Sequence, residues 1–283
     1  MPQSHPAYAT LLPWLANSVD TLTLARLNAY AASSVELSRT DTGAAIHFVA
    51  PAAAMSAADY ESRILRTGAV PTRTGNRHDA FNALCWIAFP GFKRACNALH
   101  AAQIASMSTT TDASRGEVRD TLTLLDESGV IVLCADPLLA GLIVNREWKE
   151  LFWERRTDVA RALRFLVCGH ALFEKLLQPY PALTARAMIV PAPVALFDDA
   201  VEVQRRFADA SAARLLRNLV SPSQTTPLPV AGIPGWDCGN GVPDFYDNCA
   251  VFRPRKPSTA AGSAATSAHS ACAPAPVSSP EVP

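Results

Sequence analysis

Apolar residues recur at helical spacing in several parts of the chain. "TLTLARLNAYAAS" carries them three and four residues apart, and "SAADYESRILRTG" runs from a Ser cap to Gly68, so both read as helices. "LFDDAVEVQRRFADASAARLLRNLV" reads as a further amphipathic helix. The longest pattern is "REWKELFWERRTDVARALRFLVCGHALFEKLLQPY", with an apolar stripe of Trp148, Leu151, Phe152, Val159, Leu163, Leu166 and Val167. It reads as one long helix, or as two joined near Gly169. "AAIHFVA" is short and strand-like, and "GAVPTRTGNR" reads as a loop. In "DTLTLLDESGVIVLC" two apolar runs flank Asp126-Glu127-Ser128-Gly129, which predicts a β-hairpin. "PLPVAGIPGWDCGNGVPDFYDNCAVFRP" is rich in Pro and Gly but keeps Trp236, Phe245, Tyr246 and Phe252, as a wrap anchored by aromatics would. The order helix, hairpin, helices predicts an α+β fold, mainly helical, and not a βαβ series.

Polar residues interrupt two of these apolar patterns. "NRHDAFNALCWIAFPGFKRACNALH" reads as helix, with Asn76 as N-cap and Asp79 three residues on, as in a capping box. His78 falls in the first turn, where the helix dipole favours the neutral imidazole that binds a metal or accepts a proton. Asn82 shares its face one turn on, and the same stripe then meets Cys85 and Phe89, so the pair borders the core. Pro90 breaks or kinks the helix. Beyond it Lys93, Asn97 and His100 can share one face. In the long pattern the stripe continues into His170 and, one turn later, Glu174. A buried His and Glu must be paired, hydrogen-bonded or metal-bound. His170 and Glu174 can supply two ligands to a divalent ion, or a carboxylate that orients an imidazole. The bland alternative is that both pairs are structural, His78–Asn82 tying a helix start to its loop and His170–Glu174 fixing the packing near Gly169. Cys168 lies two residues before His170 and points elsewhere on a helix, which disfavours a Cys–His catalytic pair.

Composition narrows the class. With 283 residues, 49% hydrophobic and 18% charged, the chain can bury a large core. The 25 basic and 25 acidic residues cancel, so no strong field draws the chain to nucleic acid or an anionic membrane. No run approaches eighteen apolar residues, and the first twenty residues lack the layout of a secretory signal. Seven cysteines with no CxxC fit reduced, mostly buried thiols and a cytoplasmic setting. The stretch from residue 254 to 283 is Ala, Ser, Pro and Thr and reads as a disordered tail. The expected division is an N-terminal segment 1–19, one globular domain 20–253 and that tail.

No phosphate loop, GxGxxG, GxSxG or HExxH motif is present. "GNGVPDFYDNC" matches only the end of a thrombospondin type 3 calcium repeat. Trp236 and Cys238 stand where the first acidic ligands belong, so Asp244 and Asp247 read as turn formers. "RGEVRDTLTLLDESG" offers Arg115 and Arg119 to a phosphate or carboxylate, or to surface ion pairs.

Four blocks together resemble a bacterial family, the domain of unknown function 3025: "GAVPTRTGNRHDAFNALCWIAFPGFKRACNALH", "RGEVRDTLTLLDESG", "WKELFWERRTDVARALRFLVCGHALFEKLL" and "PLPVAGIPGWDCGNGVPDFYDNCAVFRP". The resemblance covers roughly residues 20 to 254. Arg77 stands where the family has an aromatic, and Asn248 where it often has an acid. The resemblance implies one soluble domain of helices and hairpin, and supplies no activity.

The residues themselves point to a metal-assisted hydrolase site, with phosphoesters as one substrate class. His78, His170 and Glu174 are the expected ligands of a divalent metal; His78, Asn82, His170 and Glu174 form the catalytic set; Arg115, Arg119 and Lys93 meet the substrate. ββα-metal nucleases also combine His and Asn around one metal, but on a strand, so that analogy is loose. Two rivals stand beside it: a binding or scaffold protein with structural polar pairs and a protein partner, and a small-ligand sensor with a pocket under Trp236 and Tyr246.

Overall fold

The structure is a computed structural model that describes residues 5–15, 18–34, 38–52, 55–107, 113–218 and 222–255. The expected tail after residue 255, with Cys272, lies outside the described residues. So do the side chains of residues 113–116, Arg115 among them.

Helix α1 (Leu24–Ser33) leads to strand β1 (His47–Val49), then α2 (Ala57–Thr67) and β2 (Ala69–Pro71). Next come α3 (Arg77–Ala88), α4 (Pro90–Met107) and α5 (Ala113–Ser128). Strand β3 (Gly129–Cys134), α6 (Pro137–Asn145), a π-helical turn Glu150–Glu154, α7 (Arg156–Ala162), β4 (Leu163–Val167) and α8 (His170–Lys175) follow. Strand β5 (Thr184–Pro191), α9 (Val201–Arg217) and β6 (Thr226–Pro229) complete the set. The α+β class and the helical majority hold.

The expected hairpin does not form. Its first arm is helical, because α5 runs on to Ser128 and passes into β3 at Gly129 without a loop. Leu122 and Leu125 are fully buried three residues apart, the spacing of one helix face and not of one strand face. Strand β3 pairs instead with β4, antiparallel with Val130 opposite Val167, and with β5, parallel with Val130 opposite Ala187. Strand β6 closes the sheet in the order β4-β3-β5-β6.

The long helix is also corrected. Leu163–Val167 leaves the helix as β4, since pairing with the fully buried β3 outweighs the helical spacing of Leu163, Leu166 and Val167. Part of the expected loop is strand as well. Ala69–Pro71 pairs in parallel with His47–Val49, with Phe48 opposite Val70.

Helix α3 starts at the expected cap. The Asn76 side chain accepts from the Asp79 backbone N–H at 2.9 Å. Asp79 does not return a bond to Asn76; it grips Arg73 through its backbone N–H (2.7 Å) and its guanidinium (2.9 Å twice). Pro90 separates α3 from α4, and the buried Asp209 of α9 caps the new helix by accepting from Gly91 N–H and Phe92 N–H. Arg77, the departure from the family pattern, forks onto Asp20 at 2.6 and 2.9 Å.

Of the segment before residue 20, the described Tyr8, Leu11, Leu15 and Val19 are buried in the core. Tyr8 is fully buried, stacks on Phe81 and Phe173, and donates its hydroxyl to the Phe173 carbonyl at 2.7 Å. At the other end the C-terminal wrap is anchored as its aromatics suggested. Tyr246 and Phe252 are buried, and Tyr246 packs on Phe152. Asp247 holds the Lys149 ammonium at 2.7 Å, and the buried Asn240 donates to the Ala231 and Ile233 carbonyls.

Candidate metal centre and its cavity

Two glycines bring the site together. Cys168 and Gly169 both donate their N–H to the Gly129 carbonyl at 3.0 Å. A Cβ on Gly169 would lie 2.2 Å from the Gly129 nitrogen, so only glycine permits this approach of two backbones. The contact joins the C-terminal end of α5, with Asp126 and Glu127, to the first residue of α8, His170. Helix α3 packs alongside α8 and adds His78 from its first turn.

The hydrogen bonds fix how both imidazoles are used. His170 Nδ1 lies 2.7 Å from the Asp126 backbone carbonyl, and His78 Nδ1 lies 3.1 Å from Glu174 Oε2. A peptide carbonyl and a carboxylate only accept, so each Nδ1 carries the proton. The two Nε2 atoms lie 3.1 Å apart, a distance that needs a cation between their lone pairs, either a proton carried by one ring or a metal ion. Glu127 Oε1 is 3.7 Å from His170 Nε2. His78, Glu127 and His170 thus form a group whose ligand atoms all lie within 4.8 Å of one another.

Behind this group is a buried ion pair. Lys93 is 4% exposed and gives its ammonium to Asp126, over the face of Trp86. Burial pulls the Asp126 carboxyl up, but Lys93 and His170 outweigh it and hold it below the usual carboxylate range. Burial likewise opposes the Lys93 charge, yet Asp126 keeps the ammonium more firmly protonated than an ordinary lysine. His170 is 4% exposed, and burial, only partly offset by Asp126, lowers its pKa to about 4. It is a neutral imidazole at physiological pH. Burial raises the Glu127 carboxyl, and His78 opposes the shift.

The group opens into a cavity of about 1080 Å³. Its walls are polar near the histidines and apolar at Met55, Ile64 and Ile104. Of the residues expected to form a site, His78, Asn82, Lys93, His170 and Arg119 line it. Glu174 lies on the far nitrogen of His78, and the acidic residue that clusters with the two Nε2 atoms is Glu127. Asn82 donates its amide to the Tyr60 hydroxyl at 3.0 Å, and the His78 nitrogens bond Glu174 and His170. Lys93 meets the cavity with its charge already matched by Asp126. Trp236 and Tyr246 do not line this cavity.

Sequence reasoning missed Glu127 because Asp126-Glu127-Ser128-Gly129 resembles a turn. An acidic pair at a helix end, followed by Gly and an all-apolar strand, is the signal that locates it. It also missed Glu61 of α2, which lines the cavity and accepts from the Asn97 amide at 2.6 Å. Cys85, Cys96 and Cys168 are fully or almost fully buried, and burial pushes each thiol up, away from reactivity.

Among the described residues no helix is long and apolar enough to cross a membrane. No curated protein and no solved structure matches the chain. Residues 46–256 match the model of the family described as Protein of unknown function (DUF3025), and the chain belongs to that family.

Proposed function

We propose that the protein is a metal-assisted hydrolase with a divalent ion held by His78, Glu127 and His170. One observation carries this reading: the two Nε2 atoms converge at 3.1 Å with Glu127 Oε1 beside them, while both Nδ1 atoms are turned outward onto oxygens. Two lone pairs at that distance need a proton or a metal ion between them, and the Glu127 carboxylate beside both rings supports the metal. Nitrogens about 2.0–2.1 Å from one ion and 3.1 Å apart subtend roughly 100° at it, between tetrahedral and octahedral values. The outer hydrogen bonds, one to a carboxylate and one to a backbone carbonyl, are those that metal-binding histidines make.

His78, Glu127 and His170 would hold the ion, which would supply Lewis-acid activation of water and substrate near neutral pH. Glu174 keeps His78 in the ligating tautomer. Lys93 and Asp126 set the backbone carbonyl that does the same for His170. A phosphoester substrate would need cations facing the cavity. Lys93 is matched by Asp126, Arg73 by Asp79 and Arg119 by Asp120, so the reading stops at a hydrolase and the phosphoester is one substrate class to screen.

Elemental analysis of the purified protein tests the centre. One equivalent of divalent metal per chain is expected, lost in folded His78→Ala and His170→Ala variants. Hydrolysis of activated ester and phosphoester substrates by the metal-loaded protein is expected to vanish in Glu127→Gln. Metal-free protein that gains no metal on dialysis against zinc, manganese or iron would overturn the reading.

A further inference from the structure

The cavity in front of His78, Glu127 and His170, at about 1080 Å³, has the size of pockets that enclose a whole small ligand. Its length follows from helix geometry. Helix α4 presents Lys93, Asn97, His100 and Ile104 to it, in steps of four, three and four residues, which is one helix face. From Lys93 to Ile104 that face runs about 16 Å at the helical rise of ~1.5 Å per residue. Lys93 marks the end nearest the centre, because its ammonium sits on Asp126, the neighbour of Glu127. Ile104 marks the opposite end of the face.

The wall is poor in free charge and rich in apolar groups. Arg73, Lys93 and Arg119 each have a carboxylate partner, in Asp79, Asp126 and Asp120. A ligand carboxylate or phosphate would therefore lose its water without gaining an unmatched counter-charge from the lining side chains. Pro51, Met55, Ala58, Ile64 and Ile104 line the same cavity, and a hydrocarbon chain laid against them leaves water at a gain. We infer that the substrate is a carboxylic ester whose acyl part is an apolar chain of about eight to twelve carbons, a length that lies along the α4 face at ~1.2 Å per bond. The chain points toward Ile104 and the ester group lies at the centre. Hydrolysis joins the water oxygen to the acyl carbon and breaks the acyl–oxygen bond. One water hydrogen goes to the alcohol oxygen, and the other stays with the acid, which ionises. The ester end rests on the metal-centre reading; the chain end rests on the cavity alone.

Two readouts on the full chain test this. Calorimetry, before and after zinc loading, uses butanamide and octanamide, with octanoate added in the zinc-free sample. Octanamide is expected to bind about 100-fold more tightly than butanamide, at about fourfold per CH₂, and about tenfold or more tightly than octanoate. Ile104→Asn, at a half-buried side chain, and Met55→Ser, at an exposed one, should each weaken octanamide about tenfold, with melting curves showing that both are folded. The second readout is kcat/KM of the zinc-loaded protein on p-nitrophenyl butyrate and octanoate, whose ratio should favour the longer ester and fall in both variants. Octanamide binding no more tightly than butanamide, octanoate binding as well as octanamide, or octanamide unchanged in both variants overturns the inference. The chain-length pattern in the amides without ester hydrolysis after zinc loading would sink the hydrolase and leave the acyl subsite standing. Hydrolysis of both esters with equal kcat/KM does the reverse.

Discussion

His78 and His170, 92 residues apart in the chain, hold their Nε2 atoms 3.1 Å apart. Their Nδ1 atoms are turned outward, to the Glu174 carboxylate and the Asp126 carbonyl. That relationship makes the role of Glu174 measurable. Its side chain is 40% exposed, so Glu174→Gln should change stability by less than about 1 kcal/mol. It should weaken metal affinity by about 10–100-fold, because a neutral amide is a weaker acceptor for the His78 Nδ1–H than the carboxylate. Competition with a chromophoric chelator reads the affinity, and unchanged affinity would remove Glu174 from the centre.

Lys93 and Asp126 form a buried pair that is stabilising only when whole. Lys93→Met leaves Asp126 without a counter-charge and should cost about 3–5 kcal/mol. A Lys93→Met, Asp126→Leu double variant should recover much of that loss. Urea unfolding of the four members of the cycle tests both statements.

Gly169→Ala should be among the most damaging single changes. Its Cβ would meet the Gly129 and Ser128 nitrogens at 2.2 and 2.6 Å, and backbone cannot move aside as a flexible side chain would. A loss of about 3 kcal/mol or more is expected, with weakened metal binding in whatever remains folded. Thermal unfolding and metal titration of the purified variant check it.

Glu61 should impose a pH dependence on stability. Its carboxyl is raised from an ordinary value of 4.5 to about 7 in the folded chain, mainly by burial. The folded state therefore binds the proton more tightly than the unfolded state. The contribution is fully present below pH 4.5 and is lost as pH rises through about 7. Across that window the wild type should lose up to ~3 kcal/mol relative to Glu61→Gln. Parallel unfolding curves at pH 5 and pH 7.5 measure the difference, and equal slopes would contradict it.

Tyr8 links the start of the chain to α3 and α8. Tyr8→Ala should cost about 3–5 kcal/mol through its lost stacking and cavity, far more than a surface change. Chemical denaturation of the variant measures the loss, and a change below about 1 kcal/mol would mean that the segment is dispensable.

Helix starts and stops were readable because they depend on local chemistry. Asn76, Ser56, Gly68 and Pro90 act where their side chains or missing donors demand. The β4 strand was not readable, because Leu163–Val167 is apolar at both spacings and only its pairing with β3 decides. His78 and His170 stood out as polar residues on buried faces. Glu127 did not, since its role depends on the contact of Gly129 with Gly169, which joins parts of the chain that no local pattern relates.

The most direct measurement is long-range ¹H–¹⁵N NMR of the histidine rings, first metal-free and then with one equivalent of zinc. A shared-cation centre requires His170 to carry its proton on Nδ1, and zinc to shift the Nε2 resonances of His78 and His170 together and stoichiometrically. A proton found on the Nε2 of either ring in both samples, with zinc leaving the spectra unchanged, would mean that the two histidines simply bond to each other and that no metal centre exists.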